Sequence, residues 1–130
     1  MGTVVALGGQ VGGAKLAEGL GRLRGGKLTV IVNTGDDYEY LGLQISPDVD
    51  TMLYALAGIA DANKGWEPAG ESFACHGMLT RLGGPVEVPL GDRALAGVAR
   101  QLSGVRRRQP APRCGHEDGH LSSEDVRDVP

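Results

Sequence analysis

Residues 8–15, Gly8-Gly9-Gln10-Val11-Gly12-Gly13-Ala14-Lys15, follow a short apolar run and lead into a helical pattern. Backbone amides exposed at a helix N-terminus, glycines without Cβ obstruction and a lysine in the first turn suit an anion such as a phosphate. The spacing excludes the two best-known nucleotide motifs. A P-loop needs Gly-Lys-Ser/Thr, whereas Ala14 precedes Lys15 and Leu16 follows it, and no register supplies G-x-G-x-x-G. A tight strand-to-helix turn that binds nothing remains the competing reading.

Three further segments carry polar chemistry. Asn33-Thr34-Gly35-Asp36-Asp37 puts two acidic groups in a turn after an apolar run, where they either face a hydrated cation, a ribose or a base, or are simply solvated. Asp48-x-Asp50 sits at a helix start, where carboxylates complement the helix dipole without any ligand. The same pair suits Mg²⁺, which is held by one or two carboxylates plus substrate phosphates. A phosphate loop and a carboxylate pair are complementary parts of a phosphoryl-transfer site. Gly91-Asp92-Arg93 offers an arginine for bidentate phosphate contact, or an ordinary surface pair. Cys114, His116 and His120 lack a fourth zinc ligand, and His76 beside Cys75 reads as a plain helix residue.

The elements that must position these groups are legible in part. Thr3–Leu7 and Leu28–Val32 read as buried strands, with a helix from about Gly13 to Leu23 between them burying Leu16, Leu20 and Leu23. Strand, helix, strand predicts a parallel sheet with a right-handed crossover, whose ligands bind beyond the carboxyl ends of the strands. Both unusual turns leave from that edge. Ser46 as N-cap and Pro47 at the first position open a helix reaching about Ala62, with Leu53, Leu56, Ala57 and Ala60 on one face. A helix over 71–82, a short edge strand over 86–90 and a helix after Gly91 complete the pattern, the last one carrying Leu95, Val98, Ala99 and Leu102.

The chain has 130 residues and a net charge of −3, which suits one globular domain and argues against non-specific nucleic-acid binding. No stretch is long enough to span a membrane and no signal peptide is evident, so a cytoplasmic location is expected. Two cysteines make no disulfide framework. Residues 103–130 differ in character: they balance five basic against five acidic residues and hold three prolines and no aromatic. They read as a disordered tail after a folded part spanning 1–102.

The segments GGQVGGAKLAEGL, VNTGDDYEYLGLQISPDVDTMLYALAGIAD and LGGPVEVPLGDRALA, in that order, resemble the N-terminal third of the 2-phospho-L-lactate transferase family of coenzyme F-420 biosynthesis. The bacterial members of that family use a phosphoenolpyruvyl variant of the donor. The resemblance covers about residues 3–100 and implies a Rossmann-like three-layer α/β sandwich with a parallel sheet, incomplete in a truncated chain. It implies transfer of a 2-phospholactate or enolpyruvyl-2-phosphate group from a guanosine diphosphate-linked donor to a deazaflavin acceptor, with Mg²⁺ and release of GMP. It further implies a homodimer with neither nucleic-acid nor membrane partners.

Carried over by position, Gly9, Gly12, Gly13 and Lys15 line the donor's phosphate loop, and Asn33 and Thr34 line the nucleotide cleft. Asp50 lies at the metal and the attacking hydroxyl with Asp48 nearby, and Asp50 and Arg93 match acceptor-contacting positions. The sequence departs from the family pattern at Gln10, one residue more than the usual turn, at Ala94, where a second acidic residue is usual, and beyond residue 100. Two other readings stand beside it: a non-catalytic nucleotide-binding protein of the related gluconeogenesis-factor type, and a degraded gene product whose incomplete sheet leaves an apolar edge. The D-x-D-T turn and the Gly-Asp-Arg segment favour the transferase over the regulatory protein.

Overall fold

The computed structural model describes residues 2–24 and 27–108, which form two compact units, 2–70 and 71–108. In the first unit the order is β1 (Val4–Gly8), α1 (Gln10–Arg24), β2 (Leu28–Val32), β3 (Tyr38–Tyr40), β4 (Leu43–Ile45) and α2 (Pro47–Ala57). Strands β1 and β2 pair in parallel, with Val4 opposite Leu28 and Gly8 opposite Val32. This is an α/β arrangement with a parallel sheet, compatible with part of a Rossmann-like fold. Asn33 continues the ladder by donating its N–H to the Gly8 carbonyl at 3.1 Å, which brings both strand ends to one edge.

The core lies where α1 and α2 meet the sheet. Ala14 and Ala17 of α1 are buried with Met52 and Ala55 of α2, and Leu28, Val30, Val32 and Leu56 pack around them. This corrects the expected leucine stripe of α1: Leu16 is 54% exposed and Leu23 81%. The physical reason is the closeness of helix and strand. A Cβ on Gly13 would lie 2.9 Å from the Gly8 Cα, so the helix face turned inward must be small there. Ala14, Ala17 and Gly21 recur at helical spacing on that face, Leu16 and Leu23 take the outer one, and Leu20 is half-buried. Gly13→Ala is therefore expected to cost about 1–3 kcal/mol by overpacking. Gly12, where a Cβ meets nothing within 4 Å, tolerates alanine or gains up to about 1 kcal/mol. Thermal unfolding followed by circular dichroism separates the two.

Helix α2 also buries a different face from the one expected. Asp48, Thr51, Met52 and Ala55 are buried, whereas Leu53 and Ala57 are only partly covered. The helix stops at Gly58, short of Ala62, because Gly58 takes a left-handed conformation (φ 73°). The Gly58 and Ile59 amides then donate to the Ala55 and Tyr54 carbonyls, closing the helix end.

Strands β3 and β4 form a hairpin that the sequence did not announce, with Tyr38 opposite Ile45 and Tyr40 opposite Leu43. Its two turn residues, Leu41 and Gly42, both have positive φ (55° and 72°). A leucine in the first of these positions hides a turn normally signalled by Asn-Gly. The opposite face of the parallel sheet carries Val5, Leu7 and Ile31, all exposed.

The second unit holds α3 (Ala74–Arg81) and α4 (Asp92–Arg108), with Val98 of α4 fully buried. No strand forms over 86–90, because prolines at 85 and 89 remove ladder donors at both ends of a very short run. Helix α3 starts at Ala74 and not at Glu71, whose side chain is engaged elsewhere. Helix α4 continues through 103–108, past the boundary expected at residue 102. Residues 109–130, including Cys114, His116 and His120, and the Gly25-Gly26 break lie outside the described residues.

Candidate active site

Asp48 ties the two unusual loops together. It is 4% exposed, in the first turn of α2, and its carboxylate points away from its own helix. The backbone N–H of Gln10 donates to its Oδ1 at 2.9 Å, and Asn33 Nδ2 donates to its Oδ2 at 2.9 Å. Gly9 lies beneath this contact: a Cβ there would sit 2.9 Å from Asp48 Oδ2 and 3.3 Å from Asn33 Cβ. The glycine turn after β1 and the loop after β2 are thus joined by one buried carboxylate.

Gln10 adopts φ 54°, an uncommon conformation for a residue with a side chain. That conformation presents its amide to Asp48 and lets α1 begin at once, with the Gly13 N–H reaching the Gly9 carbonyl at 3.1 Å. Asn33 is a junction in its own right. Its Nδ2 also donates to Asp36 Oδ2 at 3.0 Å, and its Oδ1 accepts from the Gly35 N–H at 3.1 Å. Asp36 is therefore a loop-forming acceptor. Asp37 accepts from the Ser46 hydroxyl at 2.7 Å, so Ser46 holds the N-cap position of α2 without using its side chain as a cap.

Asp50 is buried on α2, 8% exposed. Beside it stands Tyr38 of β3, a residue that no sequence motif singled out. The Tyr38 hydroxyl is held protonated beyond the usual tyrosine range, first by burial, then by the Asp50 carboxylate and by Tyr40. Only the hairpin brings Tyr38 to Asp50, so the missed turn hid the missed neighbour. Lys15 and Thr34 are exposed on α1 and on the loop after β2, and Gly12 is exposed in the first turn of α1. Among the described residues, no three His, Cys, Asp or Glu side chains gather as a metal cage.

Arg93 belongs to the second unit, on the first turn of α4. Two carboxylates, Glu71 and Asp92, hold the starts of α4 and α3 in turn. Asp92 accepts from the Ser72 hydroxyl at 2.6 Å and from the Ala74 and Cys75 amides at 2.9 Å each, so it caps α3. These donors, the Ser72 hydroxyl foremost, pull the Asp92 carboxyl below the usual carboxylate range. A depressed folded-state value gives stability that is present above the unfolded value of about 4 and is lost as pH falls through the folded one. Urea unfolding is expected to show a weaker helix pair at pH 3 than at pH 6, and a smaller difference in Asp92→Asn.

The model of the family described as 2-phospho-L-lactate transferase CofD matches residues 4–106. The chain belongs to this family. It is 42% identical over 95 residues to a phosphoenolpyruvate transferase of Streptomyces avermitilis, covering 72% of this chain and 30% of that protein. It is 45% identical over 94 residues to a 2-phospho-L-lactate transferase of Methanopyrus kandleri, covering 71% of this chain and 30% of that one. The chain thus spans less than a third of the length of these curated relatives. The CofD match reaches into both described units, leaving out only residues 2–3 and 107–108 of them, and no described helix is long and apolar enough to cross a membrane.

Proposed function

We propose that the chain carries the donor-binding and hydroxyl-activating part of a transferase that moves a 2-phospholactate or enolpyruvyl-2-phosphate group from a guanosine diphosphate-linked donor to a deazaflavin ribityl hydroxyl, releasing GMP. The observation that carries this reading is the Asp48 bridge between the Gln10 amide and Asn33. It holds two loops at the carboxyl edge of a parallel sheet, where ligands of such folds bind. Membership of the CofD family and the names of the relatives support transfer of a phospholactate or phosphoenolpyruvate group, and the donor, the acceptor and GMP are what the resemblance implies.

In this reading the first turn of α1, at Val11 and Gly12, directs amides at the donor's phosphates, and the exposed Lys15 neutralises their charge. Gly12 needs no Cβ-free space for its own fold, which suits close approach by a ligand. Gly9 and Gly13 serve by fitting under Asp48 and against Gly8. Asn33 and Thr34 border the guanosine. Asp50 orients the acceptor hydroxyl and takes its proton as the oxygen bonds to phosphorus and the bond to GMP breaks. Burial and the neutral Tyr38 hydroxyl leave Asp50 as the base of that corner. Arg93 contacts the acceptor.

Asp48 and Asp50 each suit Mg²⁺ in donor type, and because they face different neighbours from α2, either one would hold the ion while phosphates and water complete its shell. Each Asp48 oxygen keeps a lone pair beyond its N–H donor. Bound there, Mg²⁺ would supply charge neutralisation at the transferring phosphoryl group. Assembly as a homodimer belongs to the same proposal.

The test is to incubate the purified chain with donor, deazaflavin and Mg²⁺ and to follow GMP. Release that stops in Asp50→Ala supports the reading. Guanine-nucleotide binding without turnover supports the regulatory alternative.

A further inference from the structure

Neither helix of the second unit carries its own side-chain cap. The residue before α3 is Phe73, which makes no cap hydrogen bond, and the residue before α4 is Gly91, which has no side chain. The caps are exchanged. Asp92 of α4 serves α3, and Glu71, ahead of α3, serves α4: its Oε1 accepts from the Arg93 N–H at 2.7 Å and its Oε2 from the Ala94 N–H at 3.0 Å. The Asp92 N–H donating to the Ser72 carbonyl at 2.8 Å closes the exchange. Gly91 makes it possible, because a Cβ there would lie 2.1 Å from Glu71 Cδ, inside the space the carboxylate crosses.

We propose that Glu71 is a positioning residue for Arg93, acting through the backbone it holds and admitted to that place by Gly91. The first amides of a helix have no partner within it, and a helix end without a cap frays. Arg93 sits in that first turn. Its long side chain finds a ligand only as well as its Cα is fixed, and Glu71 is the group that fixes it. The Ala94 amide is a second handle for the same carboxylate. The sequence hides this device, since Glu71 lies 22 residues before Arg93 and matches no capping pattern of α4.

This rests on the reading of Arg93 as an acceptor contact, and the test keeps the two apart. The deazaflavin acceptor itself is the probe, titrated by its fluorescence into the full chain well below the unfolding midpoint. The variants are Arg93→Ala, Glu71→Gln, Gly91→Ala and the double variant Glu71→Gln/Arg93→Ala. Glu71→Gln keeps one acceptor oxygen and hence the fold of the unit. Expected are a Kd raised about tenfold or more in Arg93→Ala, about three- to tenfold in Glu71→Gln and Gly91→Ala, and no further loss in the double variant. Multiplying losses in the double variant, or a Glu71→Gln Kd equal to that of the parent while Arg93→Ala weakens binding, overturns the proposal. An unchanged Kd in Arg93→Ala overturns instead the acceptor-contact reading on which it rests.

Discussion

Asp48→Ala is expected to be the most damaging single change in the first unit. It removes a buried carboxylate that accepts from the Gln10 amide and from Asn33 Nδ2. Hydrogen bonds to a charged group contribute about 1.5–3 kcal/mol each, and the donors left behind are partly buried. A loss of about 2–4 kcal/mol follows, or roughly 10–25 °C in Tm for a domain of this size. The strained φ of Gln10 then has nothing to hold it, so the glycine turn relaxes and guanosine diphosphate affinity falls with stability. Asp36→Ala is the matched control. Its carboxylate makes one exposed contact with the same asparagine, and the expected change is about 0.5 kcal/mol or less. Differential scanning calorimetry of the two variants checks the contrast. Equal midpoints would mean that Asp48 does not organise the loops.

Asp50→Asn is expected to separate chemistry from stability in the opposite sense. The amide is nearly isosteric, and the Tyr38 hydroxyl beside it, whose ionisation Asp50 opposes, is neutral with or without that charge at neutral pH. Tm should therefore stay within a few degrees, while GMP release from the donor falls by about 10²–10⁴, the usual contribution of a positioned general base. The same neighbour gives a spectroscopic control. The Tyr38 value is raised in the folded protein, so its contribution to stability is complete below about pH 10 and is lost as pH rises through the folded value. Phenolate absorbance should appear at lower pH in Asp50→Asn than in the parent chain. Turnover unchanged in Asp50→Asn would remove the proton-acceptor role from this residue.

What could be read from the residues alone divides along physical lines. The β1–α1–β2 unit was legible because its signals are local: β-branched runs, a glycine turn and a helical period. The identity of the packed face was not, because it depends on how closely two backbones approach. Gly13 against Gly8 selects alanines inside and leaves Leu16 and Leu23 outside, which inverts the usual preference of a leucine stripe. The hairpin was hidden by Leu41, a side chain in a conformation that normally marks glycine or asparagine.

The Asp48-x-Asp50 pair stood out by spacing, but spacing could not say that the two carboxylates face different neighbours. Asp48 turns to Gln10 and Asn33, whereas Asp50 stands beside Tyr38. The Gly-Asp-Arg turn drew attention to Arg93, while Glu71, which holds that turn, carries no local signal at all. Long-range caps of this kind are set by tertiary structure and leave no trace at a fixed offset.

In the proposed function the turn at 9–13 and the loop at 33–34, joined by Asp48, form the site of a guanosine diphosphate-linked donor. Titrating guanosine diphosphate and Mg²⁺ into the ¹⁵N-labelled chain tests it at residue level. Saturable shifts are expected at the Val11, Gly12, Gly13, Asn33 and Thr34 amides, lost in Asp48→Ala. Shifts confined to residues 71–108, or none at millimolar nucleotide, would contradict it.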